Sequence, residues 1–214
     1  MGIKKSLQQW KEYSKMSDLG VIARRKFFNN CFDGALTCAG IVSGIFIIFL
    51  SDQSRFIPEN VIITGFATAL AIGVSGLWGA FLSEEAERKK KVLDMKKEMA
   101  EIDDEEIIKK EMKKKINRKK PILEKAESFA TIVASLVDGG APVLGSSLPL
   151  IPFFFGSSLT ITHFIFSYII LTSLLIYLGL FLGQISGGGR LRYALHLVTA
   201  GVVTLFISIL LGFL

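Results

Sequence analysis

Two aspartates lie deep inside long apolar stretches of this chain, where a carboxylate is costly and is usually functional. Asp33 is the single charged residue from Phe27 to Leu50, and Asp138 is the single charged residue from Ser128 to Gly189. Carboxylate oxygens bind hard cations and protons. We therefore predict a polar pathway between the two segments that carry these aspartates. The alternative is that each aspartate caps a helix end or pairs with a neighbouring hydroxyl group.

A second set of carboxylates lies in the polar stretch Glu84–Glu127. Most glutamates there precede a lysine or arginine by four residues, which is the arrangement that stabilises a solvated helix. Asp94, Glu98 and Glu101 have no such base, and their spacing places them on one helix face. Carboxylates at this spacing repel each other unless a cation lies between them, and three nearby methionines favour a first-row transition metal. We predict a divalent-metal site here; a solvated acidic face is the alternative.

Five apolar segments must position these groups. A hydrocarbon core of about 30 Å requires roughly 20 apolar residues in a helix. The segments that meet this requirement are Asn30–Leu50, Val61–Ser83, Ser128–Phe155, Thr160–Gly183 and Leu191–Leu214. The mean hydropathy of +0.49 is high for a chain with 21% charged residues, because the apolar residues are concentrated in these segments. We predict an all-α membrane protein with five transmembrane helices and a cytoplasmic helical insertion between helices 2 and 3.

The chain divides into four predicted regions. Residues 1–29 form a cytoplasmic N-terminal segment, residues 30–83 form helices 1 and 2, residues 84–127 form the charged insertion, and residues 128–214 form helices 3 to 5. The helix of the second span is expected to continue into the insertion, because no glycine or proline interrupts it there. A capping box predicts a further helix at Asp104–Arg118, and Pro121 fits the first turn of a third.

Local breaks are predicted around the third span. Pro142, Pro149 and Pro152 must kink or break its helix, and carbonyls freed in this way are tolerated only against protein or water. Gly156-Ser157-Ser158 supplies a polar turn that separates the third span from the fourth.

The basic residues predict the orientation in the membrane. Seven of the 25 lysines and arginines precede the first span, fifteen follow the second and two follow the fourth. The N-terminus is therefore expected in the cytoplasm and the C-terminus outside. Topology accounts for the net charge of +6, so no nucleic-acid partner is needed. The absence of a short apolar core with a cleavage site favours the plasma membrane of a cell without organelles.

Other reactive residues have simpler interpretations. Cys31 and Cys38 share a helix face but are too far apart to form a disulfide, so we expect buried thiols; metal ligands are the alternative. His163 and His196 are expected to be satisfied or interfacial histidines. No phosphate-binding loop, zinc-type spacing or nucleophile elbow is present, so we do not predict an enzyme.

Two glycine pairs predict close helix packing. They are Gly40 with Gly44 on the first span, and Gly179 with Gly183 on the fourth. The same spacing is also found where helices of two subunits meet.

Short motifs on three of the spans occur together. On the first span, Asp33-Gly34 precedes the spaced small residues Gly40 and Gly44, and Glu84 lies at the cytoplasmic end of the second span. The third-span motif consists of Gly145, Pro149 and Pro152. With the charged insertion after the second span, this combination resembles the vacuolar iron transporter family over nearly the whole chain after residue 30.

The resemblance implies a five-helix homodimer that moves Fe²⁺ or Mn²⁺ out of the cytoplasm in exchange for protons, along a path between the subunits. It implies that Asp33 is the pathway carboxylate and Glu84 the entrance ligand. Glutamates of the insertion, which include Glu87, would collect the metal. Asp138 does not belong to the family pattern and would add a hard ligand. The family's second-span methionine aligns with Ala80, so a soft ligand is missing.

We therefore predict a transporter of divalent transition metal, with proton-coupled export of iron or manganese from the cytoplasm and no tightly bound cofactor. The predicted metal ligands are Asp33, Glu84, Glu87, Asp94, Glu98, Glu101 and Asp138. Its predicted partners are the metal ion, protons, membrane lipid and a second copy of the chain. The alternative is a non-transporting membrane scaffold or sensor whose basic insertion binds lipid or a partner.

Overall fold

A computed structural model of the chain describes residues 19–53, 55–101 and 128–212, and every regular element in these ranges is helical. The helices are α1 (Leu19–Ser51), α2 (Pro58–Glu101), α3 (residues 128–147), α4 (Ile161–Ser186) and α5 (Arg190–Gly212). A 3₁₀ segment, Leu148–Phe154, continues α3. Within these ranges five helices are long and apolar enough to cross a membrane, which confirms the predicted all-α fold.

The first helix is longer than its apolar segment. Residue Leu19 is already helical, whereas the sequence predicts a start near Asn30. Arginine and lysine are good helix formers, so the helix extends through Arg24, Arg25 and Lys26 although hydropathy does not mark them as a span. Lys26 is consequently part of α1.

The second helix also extends beyond its apolar segment, as predicted. It runs without a break from Pro58 to Glu101. The two further helices predicted for the insertion, Asp104–Arg118 and the one beginning near Pro121, lie outside the described residues.

The third span breaks at its later prolines. Pro142 stays within α3, but the helix changes to 3₁₀ geometry at Leu148, and this segment contains Pro149 and Pro152. Both prolines are buried, and the Ser167 hydroxyl on α4 donates a hydrogen bond of 2.7 Å to the Pro149 carbonyl. The irregular backbone therefore lies against protein, as the hydrocarbon environment requires. A non-helical turn at Gly156–Ser158 follows, as predicted.

The described residues fall into two compact units. The first contains residues 19–24, 77–101 and 128–137, and the second contains residues 25–53, 55–76 and 138–212. The second unit holds a core formed by apolar side chains of α1, α2, α4 and the 3₁₀ segment. Its largest members are aromatic: the Phe153 and Phe164 rings meet edge to face at 5.5 Å between centroids.

Within the second unit, α1 and α3 meet backbone to backbone. A Cβ atom on Gly34 would overlap the carbonyl oxygen of Pro142, and a Cβ atom on Gly145 would overlap the carbonyl oxygen of Cys31. The Ser146 hydroxyl lies 2.9 Å from the Gly34 carbonyl oxygen and 2.8 Å from that of Pro142. Small residues permit this approach, which fixes the register of α1 against α3.

The two predicted glycine pairs behave differently. Gly179 and Gly183 lie against the start of α5, where a Cβ atom on Gly183 would be 2.6 Å from the Cα atom of Arg190. For Gly40 the nearest atom to such a Cβ is 4.0 Å away, and for Gly44 none lies within 4 Å. Gly179 and Gly183 thus allow α4 to pack closely on α5, whereas Gly40 and Gly44 mediate no tight contact in the described part of this chain.

Candidate functional site

A line of polar side chains runs along one face of α1. Lys26, Asn30, Asp33 and Thr37 follow one another at intervals of four, three and four residues, so they lie on the same side of the helix. The Thr37 hydroxyl donates to the Asp33 carbonyl oxygen at 2.9 Å, which leaves the Asp33 carboxylate outside that interaction. The side chain of Asp33 is exposed, and Asn30 is half-buried.

Asp138 on α3 meets this line of residues. The Lys26 Nζ lies 2.6 Å from Asp138 Oδ2, and Asn30 Nδ2 donates to Asp138 Oδ1, also at 2.6 Å. The Lys26 side chain is 23% exposed and that of Asp138 is 13% exposed. A charge-assisted contact this short and this sheltered from water is stronger than a surface ion pair. Both oxygens of the Asp138 carboxylate thus have partners within the chain.

The backbone around Asp138 is shaped by proline and glycine. Pro142 has no N–H group, so it cannot donate the helical hydrogen bond to the Asp138 carbonyl oxygen. On the facing helix, a Cβ atom on Gly76 would lie 2.6 Å from that same oxygen, and one on Gly73 would lie 2.9 Å from the Gly139 oxygen. Glycine at these positions lets α2 approach α3 at the level of the aspartate.

A cavity of about 440 Å³ opens between α1, α2 and α3. Its polar lining consists of Asn30, Asp33, Ser75 and Asp138, and its remaining walls include Ala71 and Pro142. The fold therefore brings together two of the predicted metal ligands, Asp33 and Asp138, which come from different membrane spans. We call this space the two-aspartate cavity.

The other predicted ligands lie on the later part of α2. Glu87 and Asp94 are exposed and Glu84 is half-buried, all in the first compact unit. The side chains of Glu98 and Glu101 lie outside the described part of the structure. Among residues that the structure does describe, no three His, Cys, Asp or Glu side chains are grouped as metal ligands. The predicted site at Asp94 therefore stays a prediction.

One of the ion pairs expected from the glutamate-to-lysine spacing of the insertion is present. Lys89 Nζ lies 2.8 Å from Glu85 Oε1, with side chains that are 73% and 38% exposed. This geometry confirms the interpretation of a solvated helix face for that pair, which contributes little to stability.

His163 has a structural role at the start of α4. Its Nδ1 accepts a hydrogen bond of 3.2 Å from the Thr160 backbone N–H, and its Nε2 lies 2.5 Å from the Phe155 carbonyl oxygen. Since Nδ1 accepts, the proton resides on Nε2 and is donated to Phe155. His163 thus closes the capping box of α4. The prediction of a satisfied histidine is confirmed.

The predicted cysteine state is also confirmed. Cys31 and Cys38 are both buried free thiols, with exposures of 2% and 1%.

Three residues of the site are not among the sequence-based predictions: Lys26, Asn30 and Ser75. Hydropathy places the start of the first span after Lys26, so the sequence predicts that this lysine lies in the cytoplasmic segment. The signal that identifies Lys26 and Asn30 is their helical spacing with Asp33. Polar residues that recur every three or four positions along an otherwise apolar helix indicate a polar face, and such a face lies against protein or water.

Comparison with known proteins gives a distant relative. No protein-family model matches the chain. Over 168 residues the chain is 29% identical to an uncharacterized protein of Methanocaldococcus jannaschii, and the alignment covers 78% of this chain and 76% of that protein. The similarity extends over most of both chains.

Proposed function

We propose that this protein exports a divalent transition metal, Fe²⁺ or Mn²⁺, from the cytoplasm in exchange for protons. The observation that carries the proposal is the two-aspartate cavity. Asp33 on α1 and Asp138 on α3 line one space between apolar helices. Carboxylates in a membrane span are costly and are typically found on ion or proton pathways.

The lining of this cavity has the chemistry of a cation site. It offers carboxylate oxygens, an amide oxygen of Asn30 and a hydroxyl of Ser75. Oxygen ligands of this kind suit Mn²⁺ and other hard or borderline divalent ions. A water molecule occupies roughly 30 Å³ of liquid volume. The cavity volume of about 440 Å³ thus leaves space for an ion that keeps several waters.

Proton coupling follows from the same groups. A carboxylate must be deprotonated to bind a metal ion, so protons and metal compete for one set of oxygens. Protonation of Asp33 from the outer side would release the ion, and deprotonation towards the cytoplasm would make the site available again.

The proposed assembly is a homodimer in the plasma membrane, with the N-terminus in the cytoplasm and the C-terminus outside. Asp33 is exposed in the single chain, and so are Ala67, Ala71 and Ser75, which recur every four residues on α2. A second copy that packs its small residues against this face would close the two-aspartate cavity. Lipid would cover the remaining apolar helix faces.

A transport assay tests the proposal. In proteoliposomes with an acidic lumen, we expect wild-type protein to accelerate the uptake of Mn²⁺ or Fe²⁺ relative to vesicles without a pH gradient. Asp33→Asn keeps the side-chain size but removes the charge, so it should abolish this uptake, as should Asp33→Ala. The measurement is the quenching of a metal-sensitive dye inside the vesicles.

Glu59→Gln is the matched control, because Glu59 is an exposed carboxylate in the first turn of α2 and does not line the cavity. Its uptake should equal that of wild type. Normal uptake by Asp33→Asn would refute the assignment of Asp33 to the pathway. Wild-type protein that moves neither metal would refute transport itself.

A second candidate, the membrane scaffold or sensor, is favoured by one specific observation. Asp138 is already paired with Lys26 and Asn30, so one of the two cavity carboxylates is satisfied without a metal ion. Failure of metal uptake combined with binding of the purified protein to vesicles that contain anionic lipid would support this function instead.

A further inference from the structure

One carboxylate of the two-aspartate cavity already has a cation beside it. The ammonium group of Lys26 lies 2.6 Å from Asp138 Oδ2, and Asp138 and Asp33 line the cavity together. The formal charge of these three groups, two carboxylates and one ammonium group, is −1. If the ammonium group moved away, the charge would be −2, which matches a divalent cation.

We infer that Lys26 is a tethered counter-cation that a divalent ion must displace from Asp138 before it can occupy the cavity. This inference rests on the proposed function, because it concerns how the same site is regulated. In the metal-free protein the lysine neutralises Asp138. In the loaded protein the metal takes its place, and the lysine moves along α1.

The side chain of Lys26 is suited to such a movement. Lysine carries its charge at the end of a flexible four-carbon stem and can extend its ammonium group towards water while the stem stays in apolar surroundings. At 23% exposure the Lys26 side chain is not sealed in the protein. Arg24 and Arg25, both on α1 just before it, indicate the polar end of the helix.

A tethered ammonium group also selects for ionic charge. A monovalent ion that displaced Lys26 would replace one positive charge with another and gain little. A divalent ion brings twice the charge to the same oxygens, so Coulomb attraction favours the exchange. Lys26 therefore raises the concentration of divalent ion that is needed to occupy the cavity, and it disfavours the binding of monovalent ions.

Binding of Mn²⁺ to purified protein in detergent, measured by electron paramagnetic resonance, tests the inference. Lys26→Met keeps a stem of similar length without the charge. It should bind Mn²⁺ about tenfold more tightly than wild type, because the competing positive charge beside Asp138 is gone. Arg25→Met removes the same charge one residue away from an exposed side chain and should leave the affinity near that of wild type. Equal affinities for the two variants, or weaker binding by Lys26→Met, would overturn the inference.

A second measurement uses the wild-type chain and does not depend on whether a variant folds. Labelling by an amine-reactive reagent, followed by mass spectrometry, should modify Lys26 several-fold faster when Mn²⁺ is saturating. Lys89, which pairs with Glu85 in the other compact unit, is the internal reference and should not change. Unchanged labelling of Lys26 despite bound Mn²⁺ would overturn the inference while the proposed function stands. Absence of Mn²⁺ binding to both wild type and Lys26→Met would overturn both.

Discussion

The two intramembrane aspartates differ in what surrounds their carboxylates. Asp138 accepts from Lys26 through one oxygen and from Asn30 through the other, and its side chain is 13% exposed. Asp33 is exposed and lines the same cavity. If the cavity binds a metal ion, as we propose, the ion would meet Asp33 first and would have to compete with Lys26 and Asn30 for Asp138. At the scale of single residues, Asp33 is thus an accessible carboxylate, whereas the charge of Asp138 is already balanced by Lys26.

His163 gives a prediction about stability at the same scale. His163→Phe keeps a ring that can stack on Phe153 but removes the acceptor for the Thr160 N–H and the donor to Phe155. Loss of a helix cap costs about 1 kcal/mol. We expect a corresponding decrease in the free energy of unfolding, measured by denaturant titration in detergent.

The matched control for this change is His196→Phe. His196 is exposed on α5, so its replacement should leave the unfolding free energy nearly unchanged. If both variants unfold at the same denaturant concentration, His163 does not stabilise the start of α4.

At the scale of helices, the contact between α1 and α3 is made by backbone. Gly34 and Gly145 each face a carbonyl oxygen of the opposing helix, so no side chain separates the two elements. The same register places Asn30 and Lys26 opposite Asp138. The polar cluster therefore depends on glycine positions that carry no chemistry of their own.

Alanine substitutions at Gly34 and Gly140 should change the free energy of unfolding in opposite directions. In Gly34→Ala the new methyl group would overlap the Pro142 carbonyl, and the helices would have to separate. We expect a loss of about 2 kcal/mol or more of unfolding free energy, in the range of overpacked cores. Gly140→Ala, on the same pair of helices, meets nothing within 4 Å and should instead stabilise α3 by up to about 1 kcal/mol.

The test is whether Gly34→Ala has a lower free energy of unfolding than Gly140→Ala. A Gly34→Ala variant that is as stable as Gly140→Ala in the same denaturant titration would show that α1 and α3 are not in backbone contact.

Hydropathy and turn chemistry predict most of the element pattern. The five spans, the continuation of α2 past Gly79, the break at Pro149 and the turn at Gly156 all depend on residues close together in the chain, so their signals are local. The contact between Lys26 and Asp138 joins residues 112 positions apart. It depends on the register of two helices, which glycine packing determines and which no local pattern reveals.

The sequence predicts only part of the site. Asp33 and Asp138 stand out because a charge in an apolar stretch is visible in the sequence. Asn30, which donates to Asp138, is polar but uncharged. Its helical spacing with Asp33 is a weak signal, and it becomes specific only when α3 is placed beside α1.

At the scale of the whole chain, α5 is the span least covered by protein. Ala194 is its buried residue, whereas large apolar side chains such as Leu195, Val202 and Phe206 are about 60% exposed. A helix that is apolar on nearly every side is stable only in an apolar solvent. Its exposed face is therefore explained by the hydrocarbon of a bilayer.

The predicted orientation can be measured with single cysteines, because the native thiols of Cys31 and Cys38 are buried and give a low background. In intact cells, a membrane-impermeant maleimide should label Ser157→Cys, in the turn after the third span. Ser186→Cys, at the end of α4, should be labelled only after permeabilisation. The reverse pattern would contradict a cytoplasmic N-terminus and an external C-terminus.

The ion pair between Lys26 and Asp138 also has a consequence for synthesis in the membrane. A ribosome makes α1 long before α3, since 112 positions separate the two residues. While α1 is inserted, Asp138 does not yet exist, and the ammonium group of Lys26 is most stable at the aqueous interface. We expect the lysine to move inward only after the third span arrives. A nascent chain that stops short of residue 138 should therefore hold α1 at a shallower depth in the membrane.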